Sequence, residues 1–421
     1  PSQAETNSVL GLFSGGNFQE ALDAVTTLTK NFPDNALLHN ITGACYAGLG
    51  QLASAINSYD KAIAIKPDYA KAHYNLGGAY HELRQYKDSV QSYESSLAID
   101  PDYSEAHNNL GNVLRESGQL NEAISSYEQA LIIKPDYVEA HCGLGITFQA
   151  IGELDEAVKS YQKAVEINPD FSEAHNNLGN AFKSLGQLDE AVKSYQKALE
   201  INPDYPALHN NLGNVYKEIG QLDYALNSYL KGLTFNPDYI DLLNNLGVAF
   251  NELGQLDKAI KSYKRVIAIE PDYAEAHNNL GVTYNKLGKL DEAIKSYERA
   301  LAINPDFPDP YNNLTIVYRK QGLINEVIES FKKAIDSMAK LIAINPDDAD
   351  THNNMGIALY EIERLDAAAE SYQKAIAIKP DFSDAHCNLG AVFQKLKRCE
   401  DAIKSFEKAF VIKPDIDYIL G

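Results

Sequence analysis

The dipeptide Pro-Asp recurs at Pro33, Pro67, Pro101, Pro135, Pro169, Pro203, Pro237, Pro271 and Pro305, every step 34 residues long. One step of 41 residues follows, and the spacing of 34 resumes at Pro346, Pro380 and Pro414. A fixed period of this length marks a chain of similar supersecondary units, none able to bury its apolar face alone. A single compact core stops growing at roughly 250–300 residues, and this chain has 421. Stacked units escape that limit, because each packs only on its neighbours.

The unit from Ala274 to Phe307 reads as two helices. At helical periodicity the first places Ala276, His277, Leu280, Gly281, Tyr284 and Leu287 on one face. Glu275, Asn278, Asn279, Val282, Asn285 and Lys286 fall on the other. Gly288 ends it, as a glycine able to take positive φ does. The second helix buries Leu290, Ala293, Ile294, Tyr297, Ala300 and Leu301, and Pro305 stops it. Asp-x-x-Glu at Asp102, Asp136, Asp170 and Asp272 predicts a capping box at the start of each hairpin. Mid-helix Gly281 and its counterparts are expected to face Ala293 and Ala300, letting the paired helix axes approach closely. Tyr284 and Tyr297 are then expected to fill the space between hairpins.

Leu280-Gly281, Tyr284, Gly288, Ala293, Tyr297, Ala300 and Pro305 together resemble the tetratricopeptide repeat, over essentially the whole chain. The resemblance implies an all-α fold, an α-solenoid of about twelve 34-residue helix-turn-helix repeats in a right-handed superhelix. Residues 1–35 read as a degenerate N-terminal repeat and residues 36–307 as eight regular ones. Residues 308–348 form a repeat whose second helix gains seven residues, and residues 349–416 two more regular repeats. Residues 417–421 begin a further helix, and the apolar Ile416, Tyr418, Ile419 and Leu420 make a poor cap against water. The natural polypeptide is therefore expected to continue, or this end to pack on something.

Composition narrows the function classes. A net charge of −21, from 58 acids against 37 bases, repels phosphate backbones and anionic membranes. No apolar run reaches the roughly 18 residues of a membrane span, and no secretory leader is read. Cys45, Cys142, Cys387 and Cys399 lack metal or disulfide spacing, which fits packing thiols in a reducing, cytoplasmic setting. No phosphate loop, HExxH or GxSxG sequence is present, so neither catalysis nor a cofactor is expected of this segment.

Two columns of polar residues stand out. His39, His73, His107, His141, His175, His209, His277, His352 and His386 share one slot, with Leu243 and Tyr311 replacing them in two units. Members lie a whole repeat apart, about 8–10 Å, too far to share a zinc ion with bonds of ~2 Å. They are expected to pack between hairpins. Asn75, Asn109, Asn177, Asn211, Asn245, Asn279, Asn313, Asn354 and Asn388 share a second slot, usually preceded by another asparagine. Ile41 and Gly143 are the departures.

Asparagine is a mediocre helix former, so its repetition calls for a cause. A carboxamide carries an acceptor and two donors, and can pair with both polar groups of a passing peptide backbone. A step of about 8–10 Å matches three residues of extended chain. The alternative is that the amides bond one another or the next helix and stiffen the array. Asn112, Asn180, Asn214, Lys183, Lys217, Arg115 and Arg319 fall on the same face as candidate side contacts, the cations favouring acidic partner segments.

The Asn-Asn-Leu-Gly units, the Pro-Asp step and the terminal DIDYILG also resemble the repeat arm of SPINDLY-type O-linked N-acetylglucosamine transferases. That resemblance implies that asparagines Asn75 to Asn388 recruit protein substrates for a glycosyltransferase domain, of which nothing is seen here. The leading expectation is a scaffold gripping extended peptide or protein segments. The alternatives are the substrate arm of a larger glycosyltransferase, and a structural solenoid that forms homo-oligomers through its ends.

Overall fold

The computed structural model of the protein describes residues 1–413, and the terminal segment with Ile416, Tyr418, Ile419 and Leu420 lies outside them. All regular structure among the described residues is helical. The chain divides into two compact units, Pro1–Val215 and Tyr216–Gly421. The first hairpins are α1 (Gln3–Ser14), α2 (Phe18–Asn31), α3 (Ala36–Gly48), α4 (Leu52–Ile65), α5 (Ala70–Glu82) and α6 (Tyr86–Ile99). Next come α7 (Ser104–Glu116), α8 (Leu120–Ile133), α9 (Val138–Ala150), α10 (Leu154–Ile167), α11 (Ser172–Ser184), α12 (Leu188–Ile201) and α13 (Pro206–Glu218). The second unit continues with α14 (Leu222–Phe235), α15 (Ile240–Glu252), α16 (Leu256–Ile269), α17 (Ala274–Lys286), α18 (Leu290–Ile303) and α19 (Pro308–Lys320). It ends with α20 (Ile324–Ile344), α21 (Ala349–Glu361), α22 (Leu365–Ile378), α23 (Ser383–Lys395) and α24 (Cys399–Ile412).

The turns inside the hairpins follow from local chemistry. Gly288 takes φ +72°, and the next N–H, that of Lys289, donates back to Tyr284 O at 2.9 Å, closing α17 in a Schellman turn. Arg84 holds the same left-handed position at φ 56° without being a glycine. Helix entry departs from the expected capping box. The cap residues are Tyr103, Tyr137, Phe171 and Tyr273, one place after the aspartates, and none makes a side-chain cap bond. The aspartates lie outside the helix, so their carboxylates miss its first N–H groups. Where the third turn residue is itself Asn or Asp the cap does form: Asn35 accepts from Leu38 N, and Asp348 accepts from Asp350 N and Thr351 N.

The mid-helix glycines work differently from expectation. A Cβ on Gly281 would lie 2.6 Å from the Tyr297 ring, and one on Gly179 2.8 Å from that of Tyr195. Each glycine makes room for the tyrosine of its own hairpin, because a ring needs a flat floor that an alanine would not leave. Tyr297 thus sits inside the hairpin, and with Ala293 it packs against Leu314 and Val317 of the next one. Tyr127, Tyr161, Tyr195, Tyr229, Tyr263 and Tyr297 are all fully buried, so the core repeats with the sequence.

Successive first helices touch directly: α3 with α5, α5 with α7, α7 with α9 and α9 with α11 in the first unit. In the second unit α15 touches α17, α17 touches α19, and α21 touches α23. The first-helix side is therefore the crowded, inner side of each stack. Helix α20 has 21 residues against 14 in α18 and α22. Its buried stripe runs through Phe331 and on to fully buried Met338, seven residues later and nearly two turns along the same face.

Candidate functional site

The asparagine column lies on the inner side, each member half-buried. Its amides are tied between hairpins in one repeated pattern. Asn75 Nδ2 donates to Asn40 Oδ1 at 2.9 Å, Asn211 to Asn176 at 3.0 Å and Asn279 to Asn244 at 3.4 Å. Asn313 donates to Asn278 at 2.9 Å and Asn388 to Asn353 at 3.2 Å. Asn109 makes the same link to the Tyr74 hydroxyl at 2.9 Å. The preceding asparagine of each pair is the acceptor, which accounts for the doublet. In two helices that asparagine also donates to its neighbour, Asn108 to Asn109 and Asn176 to Asn177, so the row of ties between hairpins is joined locally within a helix.

The row is broken twice. In α9 the doublet is replaced by Cys142-Gly143. Asn108 Oδ1, buried one repeat earlier, is left without a donor. Asn177, one repeat later, accepts from Asn176 and donates to nothing among the described residues. A side chain at Gly143 has no room, since its Cβ would stand 2.5 Å from the Tyr127 ring. The second break follows α20. Asn354 makes no side-chain bond among the described residues, although Arg319 of α19 still reaches Glu361 of α21. The extended helix shifts the step between α19 and α21, and a long arginine spans it where a short carboxamide does not.

The other candidates divide similarly. Asn112 Oδ1 accepts from the Tyr127 hydroxyl at 2.7 Å, and Asn180 Oδ1 from that of Tyr195 at 2.6 Å. Their NH₂ groups make no bond among the described residues. Lys183, Asn214 and Asn245 are each engaged in a further interaction. Lys217 is half-buried. Arg115 has a buried Nε without a partner and a guanidinium 3.7 Å from Glu116. Several inner cations are thus matched by neighbouring hairpins, Lys286 with Asn251 and Lys320 with Asn285 included, which weakens the argument for acidic partners.

An aromatic patch lies beside the ladder at α5 and α7. Tyr74 and Tyr103 stack with centroids 4.9 Å apart, and Lys71 donates to the Tyr103 hydroxyl at 2.7 Å. Burial pushes the Tyr103 phenol up to about 12, with Glu105 and Asp100 adding to the shift.

The histidine column makes one repeated hydrogen bond within its own repeat, and His209, His352 and His386 are buried as well. In every member the ring Nε2 donates to the carbonyl of the proline six residues earlier, from 2.8 Å at His39 to 3.1 Å at His386. Tyr311 makes the same bond with its hydroxyl, at 3.2 Å to Pro305 O. Each ring therefore clips the turn to the helix that follows it. No cluster of metal-ligating residues exists among the described residues, and none of their helices is long and apolar enough to cross a membrane. The Pro-to-His spacing of six was legible in the sequence, and was the signal for this clip.

Profiles described as "TPR repeat" match residues 43–84, 78–114, 111–152, 148–186, 179–220, 213–254, 249–288 and 357–397. Profiles described as "Tetratricopeptide repeat" match residues 274–307 and 383–416. No curated protein matches the chain. Among solved structures, yeast Tom70 is similar over 97% of this chain and 91% of its own, at 16% identity and a TM-score of 0.53. MamA shares 28% identity over 38% of this chain and 94% of its own, with a TM-score of 0.37. YrrB, whose structure is described as that of "a TPR protein with an unusual peptide-binding site", shares 22% identity over 44% of this chain and 96% of its own, with a TM-score of 0.39.

Proposed function

The chain belongs to the tetratricopeptide repeat family, and from that premise we propose that it is a protein-interaction scaffold holding extended partner segments along its inner, first-helix side. The amide ladder is the grip. Each linked carboxamide commits one N–H to the neighbouring hairpin and keeps a second N–H and carbonyl lone pairs for a backbone. The inter-hairpin bond orients the amide before any ligand arrives, which lowers the entropy cost of binding. Pairing with backbone alone reads no side chains, so the ladder by itself accepts many sequences. The observation that carries this reading is the half-buried state of all nine asparagines, most of them tied to the neighbouring hairpin on one side and reachable on the other.

Most ladder asparagines also join hairpins, so their loss mixes stability with binding. Asn177 and Asn354 separate the two, because neither donates to another side chain among the described residues. Asn177→Ala/Asn354→Ala is expected to keep its helical signal and melting temperature while losing affinity for labelled extended peptides in fluorescence anisotropy. Unchanged affinity would remove the ladder from the binding mechanism.

A further inference from the structure

We propose that the N-terminal unit holds a dedicated site for a basic side chain of the bound segment, in a cavity of about 580 Å³ between the start of α11 and the turn before α13. This rests on the scaffold reading above and adds to it a preferred ligand chemistry. Asp170, Phe171, Glu173, Asn177, Tyr205 and Leu208 line the cavity. Its volume lies within the ~300–1,000 Å³ usual for ligand pockets.

The cavity exists because one ring is turned out. The residue after each Pro-Asp is aromatic in most repeats, and Tyr69, Tyr103, Tyr137, Phe171, Tyr239, Tyr273, Phe307 and Phe382 are all half-buried there. Tyr103 shows where such a ring goes, stacking over Tyr74 of the preceding first helix. Tyr205 is instead 49% exposed, and the corresponding residue, Asn176, lines open space.

Its acids lack the partners that several counterparts in the C-terminal unit have. In the C-terminal unit the turn aspartate is closed by a guanidinium 27 residues on: Arg265 Nη2 to Asp238 at 3.0 Å and Arg299 Nη2 to Asp272 at 2.9 Å. At Asp170 the equivalent cation is Lys197, which pairs with Glu200 at 3.0 Å. Glu275 accepts from Asn244 at 3.0 Å, whereas its counterpart Glu173 has no side-chain partner among the described residues. The protein's own arginines thus show what this turn binds when it is satisfied. An incoming guanidinium or ammonium finds two unneutralised carboxylates and two aromatic rings, those of Phe171 and Tyr205. The uncommitted Nδ2 of Asn177 is placed to take the backbone carbonyl of the same segment. Two carboxylates exclude a phosphate or acidic side chain, and the net charge of −21 draws basic segments in.

The test compares a fluorescein-labelled Ser/Thr peptide carrying arginine at about every third position with the same peptide carrying citrulline, which keeps the shape and removes the charge. At about 150 mM salt, where charges more than ~8 Å away are screened, the arginine peptide is expected to bind about five- to tenfold tighter. Asp170→Asn/Glu173→Gln should abolish that ratio. Glu94→Gln/Glu128→Gln, the same charge change on the second helices α6 and α8, should leave it intact. A ratio that survives in Asp170→Asn/Glu173→Gln, or falls equally in the control, overturns the site. Equal binding of both peptides to wild type also overturns it while the scaffold reading stands; binding of neither peptide removes both.

Discussion

Helices α15, α17 and α19 of the C-terminal unit and helices α7, α9 and α11 of the N-terminal unit share backbone and core, yet present different inner surfaces. In the former each step carries an amide tie, Asn313 to Asn278 and Asn279 to Asn244, and Arg265 and Arg299 close the turn acids. One turn beyond the ladder stand Val248, Val282 and Ile316. In the latter the row of ties stops at Cys142-Gly143, Asn112 and Asn180 occupy two of the three equivalent places, and Lys197 leaves Asp170 open. The buried rings nearly match, Tyr127, Tyr161 and Tyr195 on one side against Tyr263, Tyr297 and Phe331 on the other. A repeat can therefore vary its ligand chemistry without touching what holds it together, because inner-side polar slots and core slots are different residues of the same helix.

The largest expected effect is in alkali, where the two units should behave alike. Burial raises the phenols of Tyr161, Tyr195, Tyr263 and Tyr297 well above their ordinary value of 10.0. Above about pH 10 the unfolded chain loses protons that the folded chain keeps, so stability falls as pH rises and is flat through neutrality. Hydrogen exchange followed with tyrosinate absorbance should show both units opening together; one opening far earlier breaks the equivalence of their cores. Next in size, Tyr195→Ala and Tyr297→Ala should each cost about 3–5 kcal/mol in urea denaturation, with closely similar losses.

The ladder then separates the units. Asn278→Ala strands the Asn313 donor and should cost about 1–2 kcal/mol, whereas Asn108→Ala removes an acceptor that has no donor and only a 3.2 Å bond to its half-buried neighbour Asn109, and should cost less. Equal costs would show that the interruption at Gly143 has no energetic meaning. The smallest effect is expected from His277→Leu, at most about 1 kcal/mol. The freed Pro271 carbonyl can turn to water, and Leu243 already occupies the slot in α15.

Much of this was legible in the chain. The Pro-Asp ruler, the apolar stripes and the turn glycines each follow from one residue type at one spacing, and the helices fall where those spacings put them. Helix entry was misplaced by one residue, because an aspartate three places before a glutamate fits a capping box whether or not its backbone is in cap geometry. The facing of Gly281 onto Tyr297 was missed because helical spacing shows which side a residue lies on, not what it meets there. The asparagine column could be read, but its pairing with the doublet of the previous hairpin, at a sequence distance of 35 in Asn313 and Asn278, could not.

The repeat length, the all-helical architecture and the residues of each core stripe are determined by the sequence alone, since periodicity and turn chemistry are local and recur about twelve times with few exceptions. Tertiary structure alone decides which polar groups are already satisfied. A hydrogen bond depends on distances of a few tenths of an ångström between helices far apart in sequence. Asn211 and Asn177 therefore look alike in the chain, and only stacking makes one of them bound and the other open.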